Sequence, residues 1–256
     1  MSIHPSAIVA PGAVVPESCT VGPFCTIGPN VVLGEECELV SHVVIDGHTT
    51  LGSHNKIHPF AAIGVAPQDY SYKGEPTQTI LGDDNQIFQS VTISRGTLKG
   101  GGITRLGNSN FLMTLTHIGH DSQIGNNCLF ANAATLAGHV TIEDYATVGA
   151  LCALHQFCTI GKYAYLGAAT IVTQDVLPYS LTSAVRENHA YNINKVGLQR
   201  RGFSEEQLKT LHRAFRFLLA GKRNTSQALE LMRELKSDEV EYLIQFIERS
   251  ERGIIK

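Results

Sequence analysis

An aliphatic residue returns every six positions along the first two thirds of the chain. Leu, Ile, Val or Phe stands at Ile3, Val9, Val15, Val21, Ile27, Leu33, Leu39, Ile45, Leu51, Ile57 and Ile63, again at Leu81, Ile87 and Ile93, and then without a break from Leu106 through Ile118, Leu136 and Leu154 to Val172. Gly often follows the aliphatic, as in Ile27-Gly28 and Ile124-Gly125. A period this short, repeated this often, predicts a parallel β-helix of hexapeptides. One hexad makes a short strand and its corner, three hexads close a triangular coil, and residues eighteen apart stack about 4.8 Å from one another. The aliphatics then fill the axis of the prism, and roughly eight or nine coils make one continuous core.

The beat lapses twice. Gly64 to Thr77 and Ser94 to Arg105 put polar residues where aliphatics should fall, and both read as loops ejected from a rigid scaffold, the usual place for function. The second loop carries Gly100-Gly101-Gly102, which mere flexibility would also explain. The prism is expected to end at Leu177-Pro178-Tyr179. Beyond an irregular stretch the spacing becomes helical from Phe203: Ser204 and Gln207 make a capping box, and Leu208, Leu211, Phe215, Leu218 and Leu219 share one face until Gly221. Two further helices are predicted over Ser226 to Lys236 and Asp238 to Arg249. The expected molecule is mainly β, with a hexapeptide-repeat domain over residues 1–180 and a C-terminal helical domain over 181–256.

Composition agrees with this picture. The chain has 256 residues, 24 Gly, no Trp and a net charge of −3, which suits one large or two modest soluble domains and gives no sign of a nucleic-acid partner. Met1-Ser2-Ile3-His4-Pro5 lacks the basic and apolar stretches of a signal peptide, and no run of about eighteen apolar residues occurs. A cytoplasmic protein without a membrane span is expected. All six cysteines, Cys19, Cys25, Cys37, Cys128, Cys152 and Cys158, take the fifth position of a hexad, where Ala61, Val91, Thr116 and Ser122 stand elsewhere. That slot selects a small side chain against the corner. No Cys-x-x-Cys pair points to zinc or redox work. Cys19 and Cys37 fall on adjacent coils, close enough for a disulfide, but a reducing cytosol predicts free thiols.

Histidine placement carries the candidate chemistry. His120, His139 and His155 fall in the hexads that begin at Ile118, Leu136 and Leu154, eighteen residues apart, so they are expected on one face of three successive coils; His117 sits at the corner leading onto it, and Asp121 follows His120. Three readings fit. The first is a surface ladder of stacked polar residues. The second is a metal site, which needs three ligands within about 2.1 Å of one ion and finds no cysteine or second carboxylate to help. The third is a general base, with neutral imidazole taking a proton from an alcohol and the carboxylate fixing its tautomer.

The run Ser94-Arg95-Gly96-Thr97, Gly100-Gly101-Gly102, His117-Ile118-Gly119-His120-Asp121, Leu136-Ala137-Gly138-His139-Val140 and His155-Gln156-Phe157-Cys158 is flanked by Gln68-Asp69 and Gly74-Glu75-Pro76-Thr77 before it, and by Asn194, Gly197-Leu198 and Arg200-Arg201-Gly202-Phe203 after it. Over practically the whole chain this ordered set resembles the UDP-N-acetylglucosamine O-acyltransferase family of bacterial lipid A synthesis. The resemblance implies a homotrimer of left-handed parallel β-helices with active sites between neighbouring prisms. It implies transfer of a (R)-3-hydroxyacyl chain from acyl carrier protein to the 3-hydroxyl of UDP-N-acetylglucosamine. No metal and no resident cofactor is implied; the donor rides on the phosphopantetheine of acyl carrier protein. By the same resemblance His120 is the general base, Asp121 its orienting partner and the Gly138 N–H the oxyanion donor, while Asp69, His117, His139, His155, Gln156, Asn194 and Arg200 contact substrate and Ala168 limits acyl-chain length. Departures from the family fall at Ser71, across Thr182 to His189, and at Val196.

Lys209, Arg213 and Arg216 recur at four and three along the first long helix. This basic stripe suits docking of an acidic carrier protein, and equally suits a solvated helix face. Other classes stay open at this point: the related N-acyltransferase or a coenzyme A-dependent acetyltransferase of sugar nucleotides, a noncatalytic scaffold, or a zinc-dependent hexapeptide hydratase.

Overall fold

The computed structural model describes residues 2–184, 188–219 and 224–255. From Ser2 to Val172 the chain winds a left-handed parallel β-helix, most of whose strands are two residues long, with three flat faces. The first face stacks strands such as Phe111–Leu112, Leu129–Phe130, Thr147–Val148 and Tyr165–Leu166. The second includes Thr92–Ser94, His117–Ile118, Thr135–Leu136 and Ala153–Leu154, and the third Gln78–Leu81, Ile103–Leu106, Gln123–Ile124 and Thr141–Ile142. Neighbours on a face are eighteen residues apart, as Ile118 is from Leu136.

In each two-residue strand the second side chain points in, and pairs such as Thr141–Ile142 and Thr147–Val148 alternate accordingly. Ile57, Ile87, Leu112, Ile118, Leu136 and Val148 are fully buried, each removing from water a side chain whose burial stabilises by about 1.5–3 kcal/mol. The small fifth-position residues turn inward at the corners. All six cysteines are buried and free, and burial pushes the Cys128 thiol up to about 12, which leaves it inert as a nucleophile.

The two lapses in the beat leave the inward aliphatics in register, with one shift at Ser94, which pairs with Val65. Ile93 pairs with Ile63, thirty residues back, and Ile118 pairs with Ile93, twenty-five back. Both insertions emerge at the same corner, where the second face turns into the third.

Past Val172 the strand Ser180–Ala184 continues the first face beside Tyr165–Leu166 and returns antiparallel as Asn188–Ile193. Helices α1 (Lys195–Arg200), α2 (Glu205–Leu219), α3 (Thr225–Arg233) and α4 (Asp238–Arg249) follow. The Ser204–Gln207 box caps α2: the Gln207 N–H donates to Ser204 Oγ at 3.2 Å, and the Ser204 N–H donates to Gln207 Oε1 at 2.8 Å. Helix α3 starts earlier than its apolar spacing predicts, because Asn224 and Gln227 form a capping box of their own, and it ends at Arg233, before Lys236. The hairpin and α1 carry no periodic signal; α1 has six residues and includes Gly197. Gly221, the expected end of α2, and Val185 to Glu187 within the departing stretch lie outside the described residues. Leu208, Leu211, Phe215, Met232, Leu243 and Ile247 form a second core with Leu177 and Tyr179. The C-terminal segment ties the helices to the prism: Ser250 Oγ donates to Asp175 Oδ2 at 2.6 Å and the Ile255 N–H to the Asp175 carbonyl at 2.8 Å, while Tyr242 and Arg249 of α4 donate to Glu143.

Candidate active site

The corner between the second and third faces collects both loops and all four candidate histidines. Most corners carry a residue with positive φ, and beside the candidate histidines these are Asp121 (φ 61°), His139 (62°) and Phe157 (68°). Equivalent corner positions stack, so His139 lies one coil above Asp121, and its ring stacks on Phe157 with centroids 4.6 Å apart. His120 precedes the stacking position and Gly138 lies above it. The His120 and His139 rings meet edge to face at 5.0 Å.

At the centre His120 Nδ1 lies 2.8 Å from Asp121 Oδ2, with the histidine side chain 17% exposed and the carboxylate 0%. A buried carboxylate needs donors. Thr97, from the second loop, supplies two: its N–H donates to Oδ1 at 2.7 Å and its hydroxyl to Oδ2 at 2.6 Å. The Asp121 N–H in turn donates to Thr104 Oγ1 at 2.8 Å. Gly100 packs so closely that a Cβ there would stand 2.0 Å from the Asp121 carboxyl carbon. The glycine triplet is thus partly a packing requirement.

Gly138 meets the other side of the dyad. A Cβ at Gly138 would lie 2.4 Å from His120 Cε1 and 2.6 Å from Nε2, so only glycine leaves room for the ring. Among the described residues no acceptor pairs with the Gly138 N–H. The N–H groups of His120 and Gln156, its neighbours by stacking, are free in the same way; what sets Gly138 apart is the imidazole beside it.

His117 Nδ1 lies 2.7 Å from Thr92 Oγ1, and burial, with His120 nearby, holds His117 below the ordinary histidine value. Burial also lowers His139, against the opposing pull of Asp121. Both imidazoles therefore stay neutral below the usual histidine range. Asp69, on the first loop, accepts a hydrogen bond from the Ser71 N–H at 2.7 Å, and that bond holds its carboxyl below the usual carboxylate range. Ser71, one of the departures from the resembled family, thus serves Asp69 through its backbone. Arg95 joins the loops: its Nε donates to the Tyr72 hydroxyl at 2.8 Å and a guanidinium N–H to the Gly64 carbonyl at 3.0 Å.

The structure does not bring every candidate together. His155 and Gln156 occupy the same corner but are exposed, and His155 Nδ1 meets the Arg252 guanidinium at 3.2 Å instead of joining the dyad. Its hexad matches those of His120 and His139, yet the three histidines hold different places within their hexads, so they do not form the single column that the hexad spacing predicts. Asn194, Arg200 and Ala168 line a separate cleft of about 690 Å³ between the first face and α1, with Tyr145, Tyr165 and Val196. There Asn194 caps α1 through the Gly197 N–H and donates to the Tyr163 carbonyl at 3.0 Å. Lys209, Arg213 and Arg216 are exposed on α2. Thr97 is the member of the site that spacing alone does not single out; its signal is its place in the Ser94-Arg95-Gly96-Thr97 run.

His120, Asp121 and His139 offer ligand atoms within 4.8 Å of one another. A metal would have to displace the His120–Asp121 hydrogen bond, and both Asp121 oxygens already accept from Thr97. The geometry is that of a hydrogen-bonded histidine–aspartate pair.

Residues 175–255 match the family described as UDP N-acetylglucosamine O-acyltransferase, domain 2, and residues 12–47 match the bacterial transferase hexapeptide family. An acyl-[acyl-carrier-protein]–UDP-N-acetylglucosamine O-acyltransferase of Syntrophobacter fumaroxidans is 46% identical over 209 residues, 81% of each chain. One from Alkalilimnicola ehrlichii is 45% identical over 199 residues, 77% of each. Among solved structures, a Francisella novicida UDP-N-acetylglucosamine acyltransferase superposes with a TM-score of 0.96 at 40% identity, over 99% of this chain and 93% of that one. With the fold shared from end to end and nearly half of the aligned residues, over four fifths of the chain, identical to a curated enzyme, the chain belongs to the acyl-[acyl-carrier-protein]–UDP-N-acetylglucosamine O-acyltransferase family.

Proposed function

We propose that the protein transfers a (R)-3-hydroxyacyl chain from acyl carrier protein to the 3-hydroxyl of UDP-N-acetylglucosamine, at the entry to lipid A synthesis, with His120 as general base. The observation that carries this reading is the His120–Asp121 pair at 2.8 Å. Bonded through Nδ1 to Asp121, the imidazole keeps Nε2 available over Gly138. Nε2 takes the proton of the sugar hydroxyl as its oxygen attacks the thioester carbonyl. The Gly138 N–H donates to the oxygen that becomes negative. Asp121 stabilises the imidazolium. When the tetrahedral intermediate collapses, the C–S bond breaks and the imidazolium proton passes to the departing thiolate of the pantetheine arm. The chain itself needs no metal for these steps.

Asp69, His117, His139, His155 and Gln156 then contact substrate around the dyad, the two low-basicity histidines as neutral hydrogen-bonding groups. Asn194, Arg200 and Ala168 serve the nucleotide and the end of the acyl chain from the other cleft, and Lys209, Arg213 and Arg216 receive the acidic carrier. Because the two clefts flank different faces of one prism, the reading requires a homotrimer in which neighbouring chains complete each site. An exposed apolar ridge supports this: Phe24, Phe60, Leu115 and Leu151 project from the corner between the first and second faces. No described helix is long and apolar enough to cross a membrane; the reading places the enzyme in the cytoplasm, with the acyl carrier protein that supplies its donor.

Replacing His120 with Ala is expected to lower kcat by about 10²–10⁴-fold, the usual share of acid–base catalysis, with oligomeric state and melting temperature retained. The assay is acyl transfer from carrier-linked 3-hydroxyacyl donors to UDP-N-acetylglucosamine. Near-normal turnover in the variant excludes the base assignment.

A further inference from the structure

Thr97 contributes two of the three short hydrogen bonds that hold the Asp121 carboxylate, and it comes from the ejected second loop, not from the coils that carry the histidines. The terminal torsion of an aspartate is soft, with a broad twofold preference. Fixing both oxygens from one residue sets the plane of the carboxylate, and with it the direction in which Oδ2 meets His120 Nδ1. The same oxygen is also shared: Oδ2 accepts from the Thr97 hydroxyl at 2.6 Å and lies 2.8 Å from the imidazole nitrogen. A second donor on Oδ2 withdraws negative charge from the atom that faces the imidazolium. Thr97 is itself 3% exposed, so water does not compete for this bond.

We propose that Thr97 is a positioning residue of the dyad: its hydroxyl and N–H orient Asp121, and its hydroxyl sets how strongly the pair retains the proton taken by His120. The inference rests on the reading of His120 as base. The charged and titratable groups that face His120 are Asp121, its neighbours His139 and His117, and Asp69 on the first loop. Thr97 touches only Asp121 among them.

Thr97→Val keeps the shape and the N–H but removes the hydroxyl donor, whereas Thr97→Ser restores it. In the full-length protein, kcat/KM for carrier-linked 3-hydroxyacyl donor and UDP-N-acetylglucosamine is measured across pH 5–9 for wild type, both variants and His120→Ala. Loss of the donor concentrates charge on Oδ2 and favours the imidazolium. The acidic limb should therefore move to higher pH in Thr97→Val, with kcat/KM at the optimum down by about tenfold, the scale of one hydrogen bond to a charged group. Thr97→Ser should return both to near wild type. Where turnover of Thr97→Val is too low to profile, the ¹³Cε1 shift of His120 in histidine-labelled protein reads the same upward movement. An unmoved limb or titration in Thr97→Val, or a Thr97→Ser as impaired as Thr97→Val, overturns the positioning role. Full turnover in His120→Ala overturns the base reading and the proposal with it; an inactive His120→Ala beside an unmoved Thr97→Val overturns the proposal alone.

Discussion

Asp121 holds a backbone conformation that costs most L-residues about 1–2 kcal/mol, with φ at 61°, and the ladder bonds of the coils around it keep the corner in that state. The same conformation aims its carboxylate at the His120 ring and stacks His139 above it, so the corner geometry that turns the prism also builds the dyad. Asp121→Asn keeps the shape and removes the anion. The amide would present a donor where the carboxylate accepts from Thr97 or from the imidazole, and the imidazolium would lose its counter-charge. Activity should fall by at least about 10²-fold, and the acidic limb of kcat/KM should move to lower pH, opposite to the shift expected for Thr97→Val. A limb that stays in place would identify Asp121 as a scaffold residue only. Sequence spacing found the His120–Asp121 neighbours because they are adjacent in the chain. It grouped His155 with them because counting by hexads ignores the place within the hexad, and a one-residue offset at a corner changes which neighbour a side chain meets. Thr97 was hidden for a different reason: it reaches Asp121 across twenty-four residues from an aperiodic loop.

At the level of elements, the two loops act as a pair because both leave the prism at one corner. Arg95 bridges them, and the Tyr72 hydroxyl to which it donates in turn donates a hydrogen bond to the Glu75 carbonyl at 2.7 Å. The guanidinium also stands 5.4 Å from the centroid of the Tyr72 ring. Tyr72→Phe keeps this cation–π contact and deletes only the hydroxyl. Each lost hydrogen bond is worth about 0.5–1.5 kcal/mol, so the first loop, and Asp69 with it, should be held less firmly. The expected result is KM for UDP-N-acetylglucosamine raised several-fold at nearly constant kcat, since the dyad is anchored independently through Thr97. A fall in kcat at constant KM would mean that the clamp serves the chemistry and not the binding loop. The coils themselves were legible because one six-residue rule fixes strand, corner and register together. Loop conformation was not, since it depends on long-range partners such as Arg95 with Gly64. The terminal helices were readable where apolar stripes exceed two turns, as in α2 and α4, and not in the six-residue α1, whose start is set by the Asn194 cap.

At the scale of the whole molecule, one chain divides its candidate residues between two places. His120, Asp121 and Gly138 lie where the second face meets the third, whereas Asn194, Arg200 and Ala168 line the cleft between the first face and α1. A single prism cannot bring them together, because one continuous buried core runs from Val21 to Val176, and a close-packed interior does not let its faces move relative to one another. If neighbouring copies complete each other's sites around a threefold axis, two inactive variants should rescue one another. His120→Ala supplies an intact first-face cleft and Arg200→Ala an intact dyad. Arg200 is exposed, so its removal should leave folding unchanged. Co-expressed with separate tags and purified as mixed trimers, the pair should recover roughly a third of the wild-type activity, because each closed ring of two copies of one variant and one of the other holds one site in three with both halves intact. Mixing the preformed homotrimers without exchange should recover none, which separates true site sharing from a residual activity of either variant. Mixed trimers as inactive as the parents would mean that His120 and Arg200 serve the same site from the same chain or different sites altogether, and the intersubunit arrangement would have to be abandoned.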